Sequence, residues 1–179
     1  MKTSEVNQTK DWIVEATFKL LDRKDYQDIT ISQIVNKAGI GRRTFYRYFK
    51  SKNDIFNYVG LNLVNDFAQT ILNDKADSLF TISTSYFNFW ENHIDTLLLM
   101  KKAHLLYFIE DNLFEIIYKV AIKIGHIEEQ DVDENFMDRY KYEFEFKLAG
   151  FWKLTLLWCT DMPRKTPEEM AKIILSILK

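Results

Sequence analysis

The sequence predicts an all-α protein with a three-helix N-terminal domain followed by a larger helical domain. Three observations lead there. Only five glycines and two prolines occur in 179 residues, and Pro163 and Pro167 both fall late. Most of the chain therefore lacks the punctuation that many tight strand turns need. Apolar residues make up 47%, enough for a core and too many for a disordered chain. Where apolar residues cluster, they recur at three- and four-residue intervals, the period of a helix packed on one face.

Taken in order, the first helix is expected from about Thr9 to Asp22, with Ile13, Ala16, Leu20 and Leu21 as its apolar stripe. The polar stretch "DRKDYQD" ends it. Thr30-Ile31-Ser32-Gln33 has the form of a capping box, in which hydroxyl and side-chain amide satisfy each other's backbone N–H. A short helix follows, with Ile31, Ile34, Val35 and Ala38 on one face, closed by Gly39-Ile40-Gly41. The next spans about 42–49. Ser51 then caps a helix with an acid in its first turn, running to about Asn73. Further helices are expected at 77–91, 93–110, 111–125 and 134–160, with the acidic "GHIEEQDVDEN" as a loop between the last two. The final helix is marked by Thr166 as cap, Pro167 in the first position and Glu169 completing a capping box. No repeat of 20–50 residues and no low-complexity tract interrupts this order.

Charge is unevenly distributed. Residues 1–52 hold eleven Lys/Arg against six Asp/Glu, and the rest thirteen against twenty, within a total of −2. A basic head on an acidic body points to a polyanionic partner. Cys159 is the lone cysteine, which fits a reducing compartment. The N-terminus is polar, and the longest apolar run, 148–159, contains Lys153 and is too short to span a bilayer. The expectation is a soluble cytoplasmic protein without membrane contact.

The basic charge concentrates in "NKAGIGRRTFYRYFKSKND". Two short helices joined by a glycine turn, the second carrying cations, form a helix-turn-helix pattern. At 100° per residue Phe45 and Phe49 fall on one side of the second helix, flanked by Tyr48. Arg42, Arg43, Tyr46, Arg47 and Lys50 fill the other. The phenylalanines anchor the helix against Ile34, Val35 and the first helix. The arginine face is left for the major groove, and Tyr46 can offer its hydroxyl to a phosphate.

Residues 9–56, above all "ITISQIVNKAGIGRRTFYRYFKSKNDIF", resemble the DNA-binding domain of the TetR family of transcriptional regulators. The match rests on Thr30, Ile34, Ala38-Gly39-Ile40, Phe45-Tyr46, Phe49 and Lys52. The remainder is similar in architecture and length. Two positions depart from the family pattern. Asp25 stands where glycine is common, and is tolerated because Asp enters the left-handed region more readily than most residues. Gly41 stands where serine or threonine is common, so a capping hydroxyl is lost. The resemblance implies that Thr30, Tyr46, Arg47 and Lys52 contact phosphates, and that Arg42, Arg43 and Thr44 reach base edges. It also implies a regulator of transcription, by default a repressor released by a small molecule, with a ligand-independent regulator or an activator as the alternative.

The expected division is 1–52 for DNA binding and 53–179 for effector binding and dimerisation. One recognition helix reads few bases, whereas a two-fold dimer reads two half-sites of a pseudo-palindromic operator in double-stranded DNA. From 144 to 158 the chain reads "FEFKLAGFWKLTLLW", apolar nearly all round. Such a helix is buried on more than one side. A homodimer interface is expected from Phe144, Leu148, Phe151, Thr155, Met170, Ile173, Ile174 and Ile177, with Ala149-Gly150 allowing close approach. A small apolar or aromatic effector is expected against Tyr86, Trp90, His93, His104, Phe108 and Trp152. His93 and His104, eleven residues apart, fall nearly on one face of an unbroken helix.

The sequence carries no HExxH, GxxxxGK[ST], GxSxG or ExxH pair, so no catalytic residue and no cofactor is assigned. Three scattered histidines and one cysteine do not make a metal site. Asp131-Val132-Asp133-Glu134-Asn135 imitates the start of a calcium loop, but Phe136 and Tyr142 occupy the positions needing glycine and glutamate. The rival to a regulator is a helical module whose basic head binds acidic surfaces without sequence preference.

Overall fold

The structure is a computed structural model describing residues 2–74, 76–113 and 134–178. Helices dominate: α1 (Lys2–Leu21), α2 (Ile31–Ala38), α3 (Arg42–Tyr48), α4 (Lys52–Asp74), α5 (Leu79–Asn92) and α6 (Ile94–Lys102). A helical segment at 107–113, here α7, follows, then α8 (Glu134–Trp158) and α9 (Pro167–Ile177). A 3-10 turn, Tyr26–Asp28, links α1 to α2. Among the described residues none lies in a strand. The expected helix 111–125 beyond residue 113, and the acidic segment up to residue 133, lie outside the described residues.

Two compact units result. The first comprises Met1–Asn62 with Leu99–Ile109, and the second Leu63–Leu98 with Glu110–Lys179. In the first, α1 packs on α2 and α2 on α3. Ile13, Ile34, Phe45, Ile55 and Phe56 are fully buried there. Phe56 is a hub. Its ring lies 5.8 Å from Phe18, 5.3 Å edge-on from Tyr26 and 6.0 Å stacked on Phe108. Gly60 lies one turn further along α4, where a Cβ would stand 2.0 Å from the Phe108 carbonyl oxygen. Only glycine permits so close a backbone approach.

The second unit is built on α5, which packs along α9. Ser78 caps α5 in a capping box with Thr81, a pairing the sequence hides because the third position is threonine rather than Glu or Gln. Tyr86, Phe87, Phe89 and Trp90 are buried on α5 with Trp152 and Trp158 of α8. Phe87 meets Trp158 edge-on at 5.3 Å, and the Trp158 indole N–H donates to the Lys165 carbonyl at 2.7 Å. Thr166, Pro167 and Glu169 form the expected start of α9.

Three expectations need correction. α1 begins at Lys2, seven residues before Thr9. Those residues carry no apolar stripe to announce a helix. The expected helix 93–110 is broken. His104 adopts φ 58°, its N–H bonds to Lys101 and that of Leu105 to Met100. That pair of bonds is a Schellman ending. Gly39, at φ 68°, ends α2 by the same two bonds, to Asn36 and from Ile40 to Val35. Glycine announces the second ending and nothing announces the first. Finally, Asp25 is extended, φ −64° and ψ 144°. Its position asks nothing of the left-handed region.

Candidate nucleic-acid interface

The turn between α2 and α3 is fixed locally. The Thr30 hydroxyl accepts from the Gln33 N–H at 3.3 Å, and the Gln33 side chain accepts from the Thr30 N–H at 3.0 Å. Gly39 then reverses the chain. Gly41 caps α3 with no side-chain bond, as its missing hydroxyl requires. α3 is sorted as its sequence predicts. Phe45 and Phe49 are buried, their rings 6.1 Å apart. Arg42, Arg43, Tyr46 and Arg47 are exposed, with Thr44 half-buried between the faces. Tyr46 leans edge-on against Phe45 at 5.5 Å, so the outer ring is braced by the inner one.

The cations differ in how they are held. Arg42 donates through its guanidinium to the Ser32 hydroxyl on α2. This tie joins the two helices at their outer edge, and no sequence pattern announces it. Arg47 lies over the Tyr48 ring at 5.0 Å. Arg43 and Lys50 are exposed. Lys52 is turned inward: its ammonium donates to the carbonyls of Tyr26, Ile29 and Gln27 at 2.6, 3.0 and 3.3 Å. It also lies 4.2 Å from the Tyr26 ring centroid. Burial lowers its pKa, opposed by the Asp28 carboxylate. Tyr26 in turn donates to the Asn53 side chain, and burial pushes its phenol up to about 12. At the head of α4, Asp54 accepts from the Ser51 hydroxyl and the Lys50 N–H, which hold its carboxyl below the ordinary value.

The residues expected to bind an effector do not all converge. Tyr86, Trp90 and Trp152 do: Trp90 lies 6.3 Å from Tyr86 and 5.4 Å from Trp152. The Trp152 indole donates to Glu110, while buried Trp90 Nε1 has no hydrogen bond of good geometry. His93 stacks on Phe89 at 4.3 Å and bonds the Phe89 carbonyl through Nδ1 at 2.8 Å. His104 and Phe108 belong to the first unit, His104 exposed in its turn and Phe108 stacked on Phe56. The break after α6 is the physical reason that the two histidines share no face. A cleft of about 470 Å³ lies in the first unit, among Leu21–Tyr26, Asp28, Leu99, Lys102 and Ala103. None of the six expected residues lines it.

The expected dimer residues divide as well. Thr155 is fully buried, Met170 and Ile174 nearly so, and Phe151 lies edge-on to Tyr86 at 5.3 Å. These four are used inside the second unit. Phe144, Leu148 and Ile173 are half-buried, and Ile177 is exposed. The exposed apolar stripe of α8 is Tyr142, Phe146, Ala149, Gly150 and Leu157, on the opposite side of the helix from Thr155 at 100° per residue. Space around Gly150 is open.

A braced two-helix reader with an exposed arginine and tyrosine face defines a helix-turn-helix DNA-binding regulator. The family model for bacterial regulatory proteins of the tetR family matches residues 13–59, the segment that carries the helix-turn-helix. It is similar, at 27% identity over 157 residues, to the HTH-type dhaKLM operon transcriptional activator DhaS of Lactococcus lactis subsp. lactis (strain IL1403). That match covers 85% of this chain and 70% of DhaS. An HTH-type transcriptional regulator of Staphylococcus aureus (strain bovine RF122 / ET3-1) is 33% identical over 70 residues, 39% of this chain and 38% of that protein. In fold, the chain is similar to a TetR transcriptional regulator from Streptococcus agalactiae 2603V, with TM-score 0.64, 23% identity and coverage of 99% and 97% of the two chains. Among the described residues no helix is long and apolar enough to cross a membrane, and no cluster suited to a metal ion occurs.

Proposed function

We propose that the protein binds a pseudo-palindromic operator in double-stranded DNA as a homodimer and represses transcription until a small apolar or aromatic effector lowers its affinity. The observation that carries DNA reading is the sorting of α3, with Phe45 and Phe49 buried and Arg42, Arg43, Tyr46 and Arg47 exposed. Arg43 and Thr44 reach base edges. Thr30, Tyr46 and Arg47 meet phosphates, and Arg42 does either from its tie to Ser32. Dimerisation is supported by the exposed stripe Tyr142, Phe146, Ala149, Gly150 and Leu157 together with Ile177. Apolar side chains around a small-residue pair suit an isologous helix contact. An effector among Tyr86, Trp90 and Trp152 is supported by the convergence of their rings, which would favour an apolar or aromatic molecule. Release follows if the effector prefers a conformation unfit for the operator, by as much as that preference and no more.

A second reading, activation, is favoured by the similarity to DhaS, whose name describes an activator. The reading as a whole is tested by selecting duplexes from a random-sequence library and titrating the recovered and scrambled duplexes with salt. Both weaken as salt rises, but a regulator retains a specificity ratio. Equal affinity for both at every salt concentration would instead favour a module that binds acidic surfaces. Reporter transcription from the recovered site then separates repression from activation.

A further inference from the structure

Lys52 occupies the first position of α4, the end of a helix where the backbone dipole opposes a cation. What offsets this is the set of carbonyls it faces. An ammonium has three N–H donors, and here each has an acceptor: Tyr26, Ile29 and Gln27, at 2.6, 3.0 and 3.3 Å. The cation therefore covers the carbonyl end of the 3-10 turn, where a positive charge is favoured. The face of Tyr26 adds a cation–π contact at 4.2 Å, and the next residue, Asn53, accepts from the Tyr26 hydroxyl. Two successive residues of α4 thus grip the turn from both sides. The turn leads directly into the reader: Ile29 is buried and Thr30 is the cap of α2.

We propose that Lys52 is a positioning residue for DNA recognition, fixing the entry of α2 through the carbonyls of Tyr26, Gln27 and Ile29, and that it makes no phosphate contact. With its three donors committed it has none left to give a phosphate oxygen. Its effect on DNA passes through the pose of Thr30, α2 and α3.

The test uses the full chain carrying Lys52→Met, which keeps the aliphatic stem and removes the donors. Hydrogen exchange of the amides from Ile29 to Val35 should accelerate about tenfold or more, while α9 amides stay unchanged. Unchanged exchange over 29–35 overturns the proposal. The second arm rests on the DNA-binding reading and is measured where circular dichroism shows the variant fully folded. Discrimination between recovered and scrambled duplexes should fall about tenfold, with the slope of log affinity against log salt unaltered. A slope shallower by about 0.9, the signature of one lost phosphate contact, with discrimination retained, overturns it. If Lys52→Met does not fold, Lys52→Gln is measured against the same outcomes. If the wild-type chain recovers no preferred duplex, it is the DNA-binding reading that fails, and the exchange arm still decides the clamp.

Discussion

The hydroxyls of Tyr86 and Thr155 lie 2.8 Å apart in the buried interior of the second unit, joining α5 to α8 across 69 positions of chain. Thr155 also lies 2.9 Å from the Phe151 carbonyl. The two hydroxyl protons therefore serve one hydroxyl and one carbonyl acceptor. Tyr86→Phe should cost about 1 kcal/mol, and Thr155→Val about 1–2 kcal/mol because the Tyr86 hydroxyl then loses its partner. The double variant should lose less than the sum of the two. Urea unfolding of the four proteins measures the coupling, and strict additivity would mean that the bond contributes nothing.

Gly60 predicts a steric penalty. Gly60→Ala would place its Cβ 2.0 Å from the Phe108 oxygen and 2.6 Å from the carbonyl carbon. Backbone must move to relieve this, at about 1–3 kcal/mol. A lowered melting temperature is the expected readout, and an unchanged one would contradict the close approach.

Base and phosphate roles should separate by titration. Arg43→Ala should relax preference at one operator position, by about 1–3 kcal/mol of discrimination. Arg47→Ala should weaken all duplexes alike and flatten the salt slope by about 0.9. If both variants lose affinity equally on every duplex with equal change in slope, this division of roles is wrong.

The exposed face of α8 predicts assembly. Phe146→Glu sets a charge in the middle of the stripe without disturbing the core behind it, since Phe146 is 76% exposed. Sedimentation equilibrium should show the wild-type chain as a dimer and the variant shifted at least tenfold toward monomer, with the melting of dilute monomer unchanged. Identical masses for both proteins would remove α8's outer face from the interface.

Alkali should loosen the first unit through Tyr26. Its phenol ionises at about 12 in the fold against an ordinary value of 10.0. In that window the unfolded chain binds fewer protons than the folded one, so stability is complete below about pH 10 and falls as pH rises toward 12. Tyr26→Phe should flatten that decline. Denaturant midpoints measured from pH 9 to 11.5 compare the two, and parallel curves would assign the decline to other groups.

The reader was legible because its signals are local. Thr30 with Gln33, the left-handed Gly39 and the phenylalanines of α3 each lie within a few residues of the feature they create. The inner face of α8 was not. When nearly every position from Phe144 to Trp158 is apolar, periodicity selects no face. What turned Thr155 inward was a tyrosine 69 positions away, and Tyr142 and Phe146 were left outside. The break at His104 was equally hidden, since no glycine or proline marks it and the ending is held by burial of Met100 and Leu105. Lys52 was legible as a charge but not as a clamp, because its acceptors are main-chain oxygens, which no sequence pattern displays.

Because the first unit is closed by Leu99–Ile109 as well as by residues up to Asn62, its assembly has an order imposed by synthesis. When the ribosome has made Asn62, Phe56 still presents a bare ring where Phe108 will lie. The head can close only after nearly fifty further residues have been added. A fragment cut at the end of the helix-turn-helix would carry the whole exposed face of α3 and still lack the surface that finishes its interior.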